Sequence, residues 1–322
     1  MIKRRDTLRL TALLGLPALP RIAAAQSFPT RPMRIIVPFP AGGAADIQTR
    51  AFADALGGVL GQRVLVDNRP GAGGNLGTDA AAKSPADGYT RVIGGPNVIN
   101  TRYLIKDTPF VWERDLEPLG LMFSSPNVLV VHPSVPARTV PEFIAHLRAN
   151  PGRLNFASAG AGGSIHLSAE MFMRLTNTQM VHVPYRGDAL ARADLTTGAV
   201  QVMFNAVTSS IDPVRQGQWR ALATTGQRRS PSFPDLPTIE EAGVAGYVVL
   251  SWQGLFAPKG IPAPVLARLR EGFDAVYADA ANRAAFERLG TDPTPSTAAE
   301  HLAFMRAQET LWAPVLRTFE PA

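Results

Sequence analysis

Two stretches of this chain combine small residues, a few polar side chains and a helix start in the order that anion binding requires. The first is VPFPAGGAAD, Val37–Asp46, and the second is NFASAGAGGSIHLSAE, Asn155–Glu170. In each, an apolar run gives way to glycine and alanine and then to a helical pattern. Glycine lets a ligand approach the backbone, and the unpaired N–H groups that open a helix favour an anion. A tight strand-to-helix turn needs glycine in any case, so either stretch alone is compatible with a plain turn. Two of them, in different halves of the chain, suggest a ligand clamped between. Asp46 acts on such a ligand or balances the first helix, because an acid near a helix start is favourable in itself. A third glycine run, Arg69–Asn75, reads as a loop that shapes its own lobe.

Other chemistries fit poorly. Leu76 and Ile165 occupy the place where a dinucleotide fingerprint needs its last glycine, and the chain has no G-K-[ST] phosphate loop. Ser158 and Ser164 lie near glycines but not within G-x-S-x-G, so no nucleophile elbow is present. His166 and Glu170 stand four apart and share a helix face, which is far short of a metal site and reads as a polar helix start. Cysteine is absent, which excludes thiolate chemistry and disulfides. His132 and His182 fall in strand-like apolar settings and read as packing or surface residues. Arg186 pairs with a carboxylate or reaches solvent, the commoner fate. No cofactor and no catalytic constellation is expected.

The N-terminal residues Lys3-Arg4-Arg5, the apolar stretch Leu10–Leu19 and Ala23-Ala24-Ala25 form a secretory signal peptide, with cleavage expected after Ala25. Arg4-Arg5 also hints at the twin-arginine route, although Thr7 departs from that pattern. The first 25 residues carry five cations against one acid. The formal charge of +6 therefore falls to +2 without them, and no basic stripe remains for nucleic acid.

These motifs need elements to position them. Strand-like runs fall at Met33–Phe39, Arg63–Asn68, Thr90–Gly94, Asn127–His132, Leu154–Ser158, Met180–Tyr185, Gln201–Asn205 and Arg220–Thr225. Helical patterns lie between most of them. In Ala45–Leu60, the residues Ile47, Ala51, Phe52, Ala55, Leu56 and Val59 share one face. Thr139-Val140-Pro141-Glu142 reads as a capping box opening a helix to Asn150, and Gly198 ends a helix over Ala189–Thr197. Alternating strands and helices predict an α/β fold with mostly parallel strands, followed by a helical part from Pro262. The last apolar run, Val248–Pro258, suggests a return crossing. The expected division is a signal peptide over 1–25, a discontinuous first lobe over 26–125 and 248–322, and a second lobe over 126–247.

Six segments together resemble the substrate-binding proteins of tripartite tricarboxylate transporters, the Bug family of periplasmic solute receptors. They are RPMRIIVPFPAGGAADIQTR, VDNRPGAGGNLGTDAAAKSPADGYT, NFASAGAGGSIHLSAEMF, HVPYRGDALARADLTTGAVQVMF, FPDLPTIEEAG and WQGLFAPKGIPAPV, in the family's order. The resemblance implies a periplasmic, two-lobed fold of the type II binding-protein kind, with the ligand enclosed between lobes joined by crossing strands. It also implies a small carboxylate held by backbone amides and ordered water, and a membrane permease as partner; a non-enzymatic monomer is the default for a diffusing receptor. Carried over by position, the first contact loop is Ala41-Gly42-Gly43 with Asp46 behind it. The second runs from Ser158-Ala159-Gly160 to Ser164, with His166 just inside the helix. Asn97 and Asn205 line the pocket, and at Asn205 an acid would be as natural as an amide. Asp188-Ala189-Leu190 replaces smaller residues and alters the rim of the cleft. A hydrolase acting on a carboxylated substrate, and a receptor addressing a membrane kinase, are the rival readings. The missing nucleophile–base pair speaks against the first.

Overall fold

The computed structural model describes residues 28–317; the expected signal peptide lies outside the described residues. The chain runs β1 (Met33–Val37), α1 (Ala44–Leu60), β2 (Val64–Asn68), α2 (Asn75–Ala82), β3 (Thr90–Gly94), α3 (Pro96–Leu104) and a short α4 (Trp112–Asp115). A long strand, β4 (Leu116–Val131), leads to α5 (Val140–Ala149), β5 (Asn155–Ser158), α6 (Ser164–Thr176), β6 (Val181–Pro184), α7 (Asp188–Thr197), β7 (Val202–Ala206), α8 (Val207–Arg215) and β8 (Arg220–Thr224). Last come β9 (Leu250–Pro258), α9 (Ala263–Ala278), α10 (Ala280–Arg288), the two-residue β10 (Asp292–Pro293) and α11 (Ala298–Leu316).

The strands join in the order β2-β1-β3-β9-β4-β7-β5-β6, with β10 and β8 also paired to β4. At one end β2, β1 and β3 are parallel; at the other, β6, β5 and β7 are parallel. Between them β4 and β9 run antiparallel to their neighbours. β4 is the element that changes partners. Its residues from Leu116 to Pro126 pair with β9, and those from Asn127 to Val131 pair with β7. The sequence suggested a strand only from Asn127. Pro118 and Gly120 obscure the earlier part, and the register indeed shifts there, between Pro118 and Gly120 and between Leu121 and Phe123. Bulges of this kind admit strand-breaking residues by leaving one position unpaired.

Helices cover both faces of each half, as parallel strands buried on two sides require. In the first half, Phe52 and Leu56 of α1 pack with Phe273 and Val276 of α9, and Ile36, Val92 and Ile99 form the opposite layer. In the second half, Phe143 of α5 and Phe172 of α6 build one layer, and Ala191 and Leu195 of α7 the other. α11 joins the halves: Met305 packs in the first and Trp312 and Leu316 in the second.

Local signals explain where the helices stop and start. α1 ends at Gly61 and α7 at Gly198, both left-handed, the conformation that glycine adopts without Cβ strain. The inward face of α1 is turned from the expected one: Ile47 is 46% exposed, and Ala53 and Leu60 are buried instead. At α5, Thr139 accepts from the Glu142 N–H, but the Glu142 carboxylate caps the Arg138 N–H rather than closing a reciprocal box. No helix among the described residues is long and apolar enough to cross a membrane.

Candidate binding cleft

A cavity of about 110 Å³ opens between the two halves. A water needs about 10–15 Å³ on this measure, so the space suits a small metabolite. The first half contributes Phe39, Ala44 and Ala45, then Gly73, then Ile93 to Asn97. The second contributes Ala159, Gly160, Gly163 to Ile165, Asp188 and Ala206. Asn127 of β4 and Ser251 to Gln253 of β9 line the part where the strands cross.

Five helices begin at this cavity: α1, α3, α6, α7 and α8. None of the five has a side-chain cap at its N-terminus. Away from the cavity, α5, α10 and α11 are capped by Thr139, Asp279 and Thr297, while α2, α4 and α9 are uncapped as well. An uncapped helix start presents N–H groups without partners and roughly half a positive charge. Lysine and arginine are absent from the lining, so these backbone groups carry its positive potential.

The two halves already touch around the cavity. Asn100 Nδ2 of α3 donates to the Gly162 carbonyl at 3.0 Å, and Ser164 Oγ donates to Ser251 Oγ at 3.1 Å. The glycine loops meet so closely that a Cβ on Gly160 would stand 2.9 Å from the Gly73 Cα. A Cβ on Gly187 would fall 2.8 Å from the Pro40 ring. The conformation is closed.

The expected site residues divide into lining and support. Asn97, Ala159, Gly160 and Ser164 line the cavity. Ala41, Gly42 and Gly43 do not; the first two are exposed, and Gly43 is buried and caps α1. Asp46 is also behind the loop. Its carboxylate accepts from the Gly42 N–H at 2.9 Å, from Asn68 Nδ2 at 2.9 Å and from Arg50 Nε at 3.0 Å. Burial alone would raise its pKa; the bonds from Arg50, Gly42 and Asn68 outweigh that and hold it below the ordinary carboxylate value. With its oxygens so engaged, Asp46 shapes the first loop.

The second loop is braced in the same manner. Ser158 Oγ accepts from the Gly160 N–H and meets His182 Nε2 at 2.7 Å. His166 Nδ1 accepts from the Gly162 N–H at 3.1 Å, and its Nε2 lies 3.3 Å from Glu170. The rings of His166 and His182 stack 4.2 Å apart, with Phe156 completing the pile. Burial, reinforced by His166, lowers the His182 pKa to about 3, so His182 braces the loop as a neutral ring. Asn205 props α8, donating to Ser209 and Ser210, and the adjacent Ala206 reaches the cavity. Arg186 is exposed.

Sequence reasoning missed Gly73, Asn127, Ser251, Trp252 and Gln253. Gly73 belongs to the third glycine run, which faces Gly160 as well as shaping its lobe. Asn127 was legible as a polar residue opening the apolar run Val128–Val131. Ser251-Trp252-Gln253 interrupts an apolar run where a crossing strand turns one face to a cavity.

Fold and cleft together define a two-lobed solute-binding protein. The family described as "Tripartite tricarboxylate transporter family receptor" matches residues 48–320, and the chain belongs to it, among receptors rather than enzymes. A protein of Pseudomonas sp. (strain P51), "UPF0065 protein in tcbD-tcbE intergenic region", is 39% identical over 310 residues, covering 96% of this chain and 92% of its own. "Protein BugT" of Bordetella pertussis is 35% identical, covering 96% and 97%. Among solved structures, "R. palustris Rpa4515 with adipate" has a TM-score of 0.87 at 31% identity, covering 92% of this chain and 100% of that one. "Structure of periplasmic binding protein BugD" has 0.84 at 30%, covering 90% and 98%. MatC (Rpa3494) from Rhodopseudomonas palustris with bound malate has 0.84 at 27%, covering 90% and 100%.

Proposed function

We propose that this chain is an exported receptor that captures a small carboxylate by closing its two lobes and delivers it to a membrane permease of the tripartite tricarboxylate type. The observation that carries the reading is the convergence of five uncapped helix starts on a cavity with no cationic side chain. Such an arrangement binds an anion through fixed backbone donors rather than through a salt bridge. The adipate and malate held by two similar proteins agree with that chemistry.

The lobes of this reading are 26–125 with 248–322, and 126–247; the change of β4 partners at Asn127 supports the division. The contact set is Asn97, Ala159, Gly160 and Ser164, with Gly43, Asp46, Ser158, His166 and Asn205 positioning them. Export with cleavage after Ala25 places a monomer in the periplasm. Closure stabilises the bound state because both glycine loops reach the ligand only there. Small-angle X-ray scattering of the exported protein tests this, with and without saturating carboxylate. The radius of gyration should shrink on addition, and an unchanged value would overturn the closing mechanism. N-terminal sequencing of that protein should begin at Gln26.

A further inference from the structure

The lining of the cavity is not uniformly suited to an anion. Asp188, the first residue of α7, is the one ionisable side chain among the lining residues. Its carboxylate lies across from α1, so close that a Cβ on Gly43 would stand 2.7 Å from Oδ1. The side chain is 16% exposed, and Oδ2 is buried without a hydrogen-bond partner. Arg192, one turn along, brings Nε to 3.6 Å from Oδ2. That is near enough to soften the charge and too far for a hydrogen bond.

Two buried amides divide the cavity further, and their neighbours fix their orientations. Asn97 Oδ1 accepts from the Gly95 N–H, which leaves the donor Nδ2 buried and unpartnered. At Asn127 the orientation follows from a hydroxyl that has only one proton to give. Ser168 Oγ donates to the Ser164 carbonyl, so it accepts from Asn127 Nδ2, and Asn127 Oδ1 is left buried and unpartnered. The cavity is therefore bipolar. Helix starts and Asn97 supply donors for a carboxylate, while Asn127 Oδ1 and the Asp188 carboxylate are acceptors that the protein leaves unsatisfied.

We propose that Asp188 makes this receptor selective for a carboxylate that also carries an ammonium group, a zwitterion of the amino-acid kind, over simple dicarboxylates. An ammonium brings a positive charge and three donors, the complement of these two acceptors. A dicarboxylate brings a second anion beside Asp188 and satisfies neither acceptor. Buried polar groups left without partners penalise the ligand that cannot pair them, which is how such sites discriminate. A hydroxy acid would offer a donor but no charge. The inference rests on the carboxylate reading of the cavity and adds the second group.

Isothermal titration of the chain without its signal peptide tests it, using glutarate, γ-hydroxybutyrate, γ-aminobutyrate, L-alanine and L-glutamine. An ammonium carboxylate should bind about tenfold or more tightly than glutarate and γ-hydroxybutyrate. Asp188→Asn and Asp188→Ser should each weaken that ligand by about tenfold and tighten glutarate, whose second carboxylate no longer meets an anion. Circular dichroism melts establish that both variants fold. Preference of the parent protein for glutarate or γ-hydroxybutyrate, or ammonium ligands indifferent to both substitutions, overturns the role of Asp188 and leaves the carboxylate site standing. Failure of every member to bind overturns both.

Discussion

The hydrogen bond from Asn100 Nδ2 to the Gly162 carbonyl joins α3 of one half to the glycine loop of the other, and its removal isolates the energetics of closure. Both residues are buried. In an open form, water would serve the Gly162 carbonyl and the Asn100 amide alike. Asn100→Ala therefore leaves the open form little changed, while in the closed form it strands a buried carbonyl. Such an unsatisfied group costs about 1–3 kcal/mol, against about 0.5–1.5 kcal/mol for the net value of a typical bond. At 1.4 kcal/mol per factor of ten, affinity should fall roughly five- to 150-fold. The loss should appear mainly in the dissociation rate, since closure retains the ligand. Stopped-flow and equilibrium titration of parent and variant, with the tightest-binding small carboxylate, measure both quantities. Affinity within about twofold of the parent would refute the reasoning, because the contact would then contribute nothing specific to the closed state.

Other outcomes follow from the same geometry. Gly160→Ala places a Cβ 2.9 Å from the Gly73 backbone across the cleft; binding should be lost while the unliganded melt shifts by a few degrees at most, and an unaltered affinity would contradict the closed contact. The pH dependence runs through His182, whose pKa falls from the usual 6.5 to about 3 in the fold. The unfolded chain binds more protons in that window, so stability rises with pH across it and is lost as pH falls from about 6.5 toward 3. His301, similarly lowered by burial, adds to this, and urea titrations at a series of pH values should show His182→Gln flattening the curve. Thr297→Ala removes a complete capping box at α11, which contributes no lining residue; denaturant melts should show a loss of about 1 kcal/mol, with ligand affinity unchanged.

What the sequence revealed and what it hid have physical causes. β2 and β3 were legible because short β-branched runs end in asparagine or glycine, β1 because its run stops at Pro38, and both glycine loops because such clusters serve a helix start. Asp46, Ser158 and His166 were expected as ligand contacts at those loops, and in the structure they brace the loops instead. Sequence could not show that their polar atoms point back into the loops, since hydrogen-bond direction depends on where Asn68 and His182 fall. β4 was half hidden because its proline and glycine are tolerated at bulges. Gly73, Asn127 and Trp252 were missed for a deeper reason. They come from three separate elements and become neighbours only through the crossing of β4 and β9, a long-range event that no local pattern records.

The most direct test of the central claim compares each small carboxylic acid with its uncharged amide by thermal unfolding of residues 26–322. If backbone donors at five helix starts recognise the negative charge, an acid that binds should raise stability by about 2.7 kcal/mol at a hundred times its dissociation constant, and its amide should leave the melt unmoved. An equal shift from acid and amide, or no shift from any acid, would contradict the claim.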